Sequence, residues 1–163
     1  MKKNILIAAL VAFMIVASSG MSQRMPDISV GAPVPDLVID DDARCLDLGK
    51  LRGSYVLLSF WSSSDAPSRV AVKNYDTWLR HLSAKVEKPV SHVSVNFDES
   101  EELFRAIVRA DHLDKHAQYN ASGSLAESII ANFNLREGYG SLLIDPDGNI
   151  VAINPGISNL TAI

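Results

Sequence analysis

Seven consecutive residues, Tyr55 to Trp61 (YVLLSFW), constrain this chain more than any other segment. Only Ser59 interrupts the apolar run, so the segment lacks the in–out alternation of a strand with one wet face. It reads as a central strand covered on both sides. A sheet built around such a strand needs a layer above and a layer below.

The flanking sequence supplies those layers. Ala71, Tyr75, Trp78, Leu79, Leu82 and Val86 fall at helical spacing on one stripe. Pro67 sits where a first helical turn tolerates it, and Pro89 marks the stop. Val90 to Phe97 alternates as a strand, with Val93, Val95 and Phe97 on one side. A second helix is expected with Asp98 as N-cap, Glu101 three residues on, and Leu103, Phe104, Ile107 and Val108 inward. After a loop from Asp111 to Gly123, Ser124-Leu125-Ala126-Glu127 has the form of a capping box. Its helix would bury Leu125, Ile129, Ile130 and Phe133. Ser141 to Ile144 and Asn149 to Ile153 flank the turn Asp145-Pro146-Asp147-Gly148 and predict a β-hairpin. Upstream, Pro26, Pro33 and Pro35 favour an extended leading segment, and Leu37 to Ile39 is a short strand ended by Asp40, Asp41 and Asp42. The order predicts an α/β sandwich with a mixed sheet, parallel in its first half and closed by the antiparallel hairpin.

The N-terminus bears on location. Lys2 and Lys3 precede an apolar run of 12 residues, Ile5 to Val16, and then Ala17, Ser18, Ser19 and Gly20. That order is a secretory signal peptide, and the run falls short of the roughly 20 residues a spanning helix needs. Residues 1–22 are assigned to it and residues 23–163 to a single domain. Without Lys2 and Lys3 the chain keeps 13 basic residues against 19 acidic ones. An acidic exported domain with no basic cluster is a poor partner for nucleic acid or for an anionic membrane surface. His81, His92, His112 and His116 have no metal-ligand spacing with a cysteine, and no metal or cofactor is expected. The one cysteine, Cys45, offers no internal disulfide; it is a small buried residue or a free thiol able to pair between chains.

At Tyr55 to Arg69 (YVLLSFWSSSDAPSR) the chain resembles exported bacterial thioredoxin-like proteins, of the cytochrome-maturation thioredoxin and redoxin type. The resemblance runs from about Gly31 to Pro155. It includes the leading segment Gly31 to Asp36, the approach Asp47 to Gly53, the step Phe97 to Ser100 and the hairpin SLLIDPDG at 141–148. It implies the thioredoxin-like three-layer sandwich, with helices on both faces of the sheet. It also implies that the two active-site cysteines fall on Asp65 and Ser68, with Ala66 and Pro67 between them. Such a site needs a thiolate at a helix N-terminus and a second thiol to resolve the mixed disulfide. An aspartate can carry the same charge, but it has no sulfur.

Other landmarks of that family differ as well. The tryptophan that commonly precedes the first cysteine is Ser64, and the buried acid of the central strand is Ser59. The cis-proline position falls on Tyr139, between Gly138 and Gly140, where a trans peptide and an altered loop path are expected. No catalytic residue is therefore expected. Trp61, Ser64, Asp65 and Tyr139 are candidates for an inherited peptide-binding groove, Asp65 being otherwise a simple N-cap and Tyr139 a half-buried loop aromatic. Only five residues follow Ser158, so the family's last helix is expected to be missing or very short, with sheet surface left exposed or covered by another chain. The expected role is a redox-inactive accessory module binding an envelope protein or peptide. The alternatives are an oxidoreductase using Cys45 and a truncated relic that folds poorly or only as an oligomer.

Overall fold

The apolar run becomes the centre of the molecule. In chain order the elements are β1 (Val38–Asp41), β2 (Arg44–Asp47), β3 (Tyr55–Trp61), α1 (Ala66–Leu82), β4 (Val90–Asn96), α2 (Glu101–Ala110), β5 (Gln118–Asn120), α3 (Gly123–Asn132), β6 (Ser141–Ile144), β7 (Ile150–Ile153) and α4 (Ile157–Leu160). The structure is a computed structural model that describes residues 26–41, 44–82 and 88–161. The expected signal peptide and Val86 lie outside the described residues, as does the Leu82 side chain.

Five strands form one sheet in the order β5-β4-β3-β6-β7, and β1 with β2 forms a separate antiparallel pair. β3 pairs parallel with β4, β4 parallel with β5, and β6 runs antiparallel to both β3 and β7. This is the mixed sheet closed by a hairpin that the residue order implies. Gly148 occupies φ +87° in the hairpin turn, a conformation glycine adopts without strain. Asp145 Oδ1 accepts from the Asp147 and Asn149 N–H groups there, holding its carboxyl below the usual carboxylate range.

Alternation along β3 divides the core in two. Val56, Leu58 and Phe60 pack with Val93, Val95, Leu142 and Ile144 against α3 and the β1–β2 pair. The Phe60 ring lies 4.9 Å from Phe133 and 6.0 Å from Phe97. On the opposite face Leu57 and Leu143 meet Tyr75, Trp78 and Leu79 of α1, while Trp61 meets Val72 of α1 and Phe104 and Val108 of α2. Helices cover both faces, as expected.

The last helix is a single turn. It nonetheless places Leu160 in the cluster with Leu57 and Leu143, fully buried, and the Tyr75 hydroxyl donates to the Pro155 carbonyl at 2.7 Å. Val151, Ile153 and Ile157 remain exposed nearby.

Several local expectations are corrected. Asp98 is not the cap of α2. It is drawn inward by buried donors, and Ser100 takes the cap, accepting from Leu103 N–H at 3.1 Å. Leu103 then points outward, 45% exposed, while Phe104 and Val108 face the core. α3 starts one residue before the expected capping box, after Ser122, which makes no side-chain cap. Its inward stripe is Ala126, Ile129 and Phe133, and Leu125 lies on the outer side. The segment 111–123, expected as loop alone, carries β5, three residues long and dependent on β4 for its hydrogen bonds.

His92 lies one step from the buried polar residues of β3, its Nε2 3.5 Å from Ser59 Oγ. Enclosure pushes its pKa down from 6.5 to about 4, against the opposing pull of Asp76 and Asp114. The unfolded chain therefore binds this proton more readily than the folded one. The corresponding stability is complete above pH 6.5 and lost as pH falls towards 4. Its upper bound is about 3 kcal/mol, reduced to about 2 because the residue as a whole is only partly buried. Asp111 and Asp145, both with lowered pKa, take effect only below their ordinary value of 3.8. Urea unfolding at pH 7.5, 5.5 and 4.5 should show the decline in the wild type and a flatter profile in His92→Gln. Equal slopes would remove His92 from the account.

Candidate functional site

The β3–α1 junction is the place to look for chemistry, because there a chain end of the sheet meets a helix N-terminus. Asp65 stands directly before α1. Its Oδ1 accepts from Ser68 N–H at 2.8 Å, and its carbonyl accepts from Ser68 Oγ and Arg69 N–H, both at 3.1 Å. The carboxylate thus caps the helix and places negative charge at the positive end of its dipole. Pro67 has no N–H to give, and the Ser68 N–H is already bonded. Little donor capacity remains for an external anion at this helix start.

The loop before Asp65 is held by a residue from another segment. Asp98, 6% exposed, accepts through Oδ1 from Ser62 Oγ at 2.7 Å, Ser63 N–H at 2.9 Å and Ser63 Oγ at 3.0 Å. Its Oδ2 accepts from Asn96 Nδ2 at 3.0 Å. Asn120 Nδ2 closes the network on Asn96 Oδ1 and the Asp98 carbonyl, each at 2.9 Å. Three loops at the C-terminal edge of the parallel strands are therefore tied together. Arg69, in the first turns of α1, adds a two-pronged ion pair to Asp111 at 2.5 and 2.8 Å, which lowers the Asp111 pKa.

Tyr139 approaches the same place from the β6 side. Its ring stacks on Phe97, with centroids 5.2 Å apart and planes 9° from parallel. Burial raises its phenol pKa, and the charges of Asp65 and Asp98 raise it further, so these three groups share one field. All described peptide bonds are trans, Tyr139 included. Gly140 allows a close approach: a Cβ there would stand 2.8 Å from Asn154 Oδ1 and push that side chain off the Ser141 N–H it accepts from. Behind the Tyr139 loop, Phe60, Phe133, Leu142, Ile28 and Ile153 line an open cleft of about 190 Å³.

The structure thus brings Asp65, Ser68 and Tyr139 into one neighbourhood, with Ser64 exposed at its rim. Trp61 does not join them. It is 0% exposed within the apolar cluster under α1 and α2, because the alternation that turns Phe60 to one face turns Trp61 into the other. A buried tryptophan offers no groove wall, so that assignment is corrected. Asp98, Asn96 and Asn120 were missed. The one available signal, an acid just after a strand, has the same form as a helix cap. Cys45 is exposed on β2, outside the five-stranded sheet and apart from the contacts that hold Asp65 and Ser68. Among the described residues no group of three or more His, Cys, Asp or Glu side chains is placed to hold a metal ion, and no helix is long and apolar enough to cross a membrane.

No protein-family model matches the chain, and no curated protein matches it by sequence. Solved structures do. A thioredoxin-like protein from Parabacteroides distasonis superposes with a TM-score of 0.68 at 23% identity, over 85% of this chain and 96% of that one. The thioredoxin domain of a thiol-disulfide oxidoreductase from Bacteroides vulgatus gives 0.69 at 22% identity, over 83% and 95%. A secreted thiol-disulfide isomerase from Corynebacterium glutamicum gives 0.65 at 13% identity, over 88% and 92%. At these identities the likeness speaks to architecture, and it agrees with the element order, the sheet topology and the helix that opens at Asp65: the chain has the thioredoxin-like fold.

Proposed function

We propose that this chain acts by binding and not by disulfide exchange. It is a redox-inactive thioredoxin-like module, exported by residues 1–22 to the periplasm or cell envelope of a bacterium. There it engages a protein or peptide across the surface of Ser64, Asp65 and Tyr139. The observation that carries this reading is the Asp65 carboxylate bonded into the helix N-terminus, where exchange chemistry needs a sulfur nucleophile. Ser68, 6% exposed and donating to the Asp65 carbonyl, has no resolving thiol to offer. The Tyr139 backbone makes no hydrogen bond among the described residues, which leaves it available to an extended chain. The secreted isomerase among the structural neighbours supports the export reading.

Insulin reduction in the presence of dithiothreitol tests the first half. Turnover should equal the rate with reductant alone, and the Cys45→Ser variant should behave the same. Turnover above that rate overturns the proposal. If Cys45→Ser then abolishes it, the second reading stands: an enzyme of the redoxin type working through Cys45, whose exposure is the observation in its favour. For the binding half, envelope extract is passed over the immobilised wild type and over Asp65→Arg. A partner of this surface is retained by the first and lost on the second; equal retention places the contact elsewhere.

A further inference from the structure

A row of polar side chains crosses the sheet at one level. Ser141 on β6 pairs with Ser59 on β3, Ser59 with Ser94 on β4, and Ser94 with Gln118 on β5. Partners at one register point to the same face of a sheet, here the face that carries Leu57 and Trp61 under α1. The row separates the two apolar clusters on that face. Solvent scarcely reaches it: Ser59 and Ser94 are 0% exposed, Gln118 1% and Ser141 4%.

Half of the row satisfies itself. Ser141 Oγ donates to Ser59 Oγ at 3.2 Å, and Ser59 Oγ lies 3.5 Å from His92 Nε2. The other half does not. Ser94 Oγ and both carboxamide atoms of Gln118 meet no hydrogen-bond partner among the described residues. The charged group on the helix over this face, Asp76 of α1, accepts from Asp114 N–H through Oδ1 at 2.8 Å. Its Oδ2 is ion-paired with Arg80 at 2.6 Å but, like Ser94 and Gln118, accepts no hydrogen bond among the described residues. A buried hydroxyl beside a buried carboxamide with all their hydrogen-bonding capacity unused is a costly arrangement that Ala and Leu would avoid at those positions.

We propose that the Ser94–Gln118 end of this row is an internal water site. Water is the small ligand its chemistry selects. The site offers donors and acceptors side by side, and a buried water needs two to four such partners. A cation would leave the Gln118 amide hydrogens unpaired and an anion its carbonyl oxygen, whereas water serves both. The water supplies the hydrogen bonds that Ser94 and Gln118 do not receive from the described residues.

A crystal structure of the folded chain tests the site directly. A solvent peak is expected within about 3.2 Å of the Gln118 carboxamide and of Ser94 Oγ. Gln118 bonded directly to protein, with no such peak, overturns the proposal. Ser94→Ala supplies a sign test on a variant too small to disturb the fold. In a hydrated site it deprives the water of a partner and lowers Tm by about 4 °C. In a dry site it removes an unpaired hydroxyl, so an unchanged or raised Tm also overturns the proposal.

Discussion

Replacing Asp65 and Ser68 together by cysteine is expected to give the chain a redox-active thiol pair where the wild type has none. The two positions are already joined across the first helical turn, Asp65 Oδ1 to Ser68 N–H at 2.8 Å. Residues three apart at a helix start lie within the Cα separation a disulfide accepts, about 4.4–6.8 Å. A thiol at position 65 would inherit the helix dipole and the backbone N–H of position 68, both of which favour the thiolate and lower its pKa from the ordinary value of about 8.5. The partner at 68 would be shielded, since Ser68 is 6% exposed. Alkylation before reduction should find only Cys45, and after reduction three thiols. Insulin reduction should rise well above the reductant-only rate, in contrast to the wild type. Three reactive thiols without reductant, and no turnover, would show that the α1 start does not hold exchange geometry. The acidic field of Asp98 and the absence of proline at Tyr139 set the activity of this variant below that of an enzyme evolved for the reaction.

The largest loss of stability at the site is expected from Asp98→Ala. One carboxylate accepts from four donors, and three loops depend on it. Truncation leaves Asn96 Nδ2 without its acceptor and Ser62 Oγ with Ser64 alone, in places water reaches poorly. An orphaned buried donor costs about 1–3 kcal/mol, so a total of about 3 kcal/mol is expected after relaxation of the more exposed Ser63 contacts. For a domain of this size that is a Tm lower by about 10 °C. Asp98→Asn keeps one acceptor oxygen and should recover part of the loss. A fall of less than about 2 °C for Asp98→Ala would mean that the loops are held by backbone pairing alone, such as Phe97 N–H to the Trp61 carbonyl. Asp98→Ala should also weaken any partner captured through Asp65, because the loop before Asp65 is ordered by this carboxylate.

The sheet and its two coats were legible in the sequence because each was written at its own period. Tyr55–Trp61 is apolar without alternation, and only a central strand sustains that. Tyr75, Trp78 and Leu79 repeat at helical spacing, and all three are buried against β3. The hairpin turn is spelled by Asp145 to Gly148. The start of α1 was legible for a related reason: Asp65, Ala66 and Pro67 form a helix start by local chemistry alone, and that chemistry operates in the fold.

Tertiary structure decided what depends on contacts between distant segments. Asp98 has the local form of a cap, yet Ser62, Ser63 and Asn96 supply four hydrogen bonds against the one a cap would make, and they win it for the interior. β5 has only three residues and becomes a strand because β4 offers it partners. Trp61 reads as a site residue at the end of its strand, but which face it occupies is set by the register of the whole sheet. The level alignment of Ser141, Ser59, Ser94 and Gln118 is invisible along the chain, since paired neighbours in the row are separated by 24 to 82 positions and meet only through strand pairing. Periodicity is a property of one segment and survives in the sequence; the choice of hydrogen-bond partner is a competition among segments, and only the folded chain resolves it.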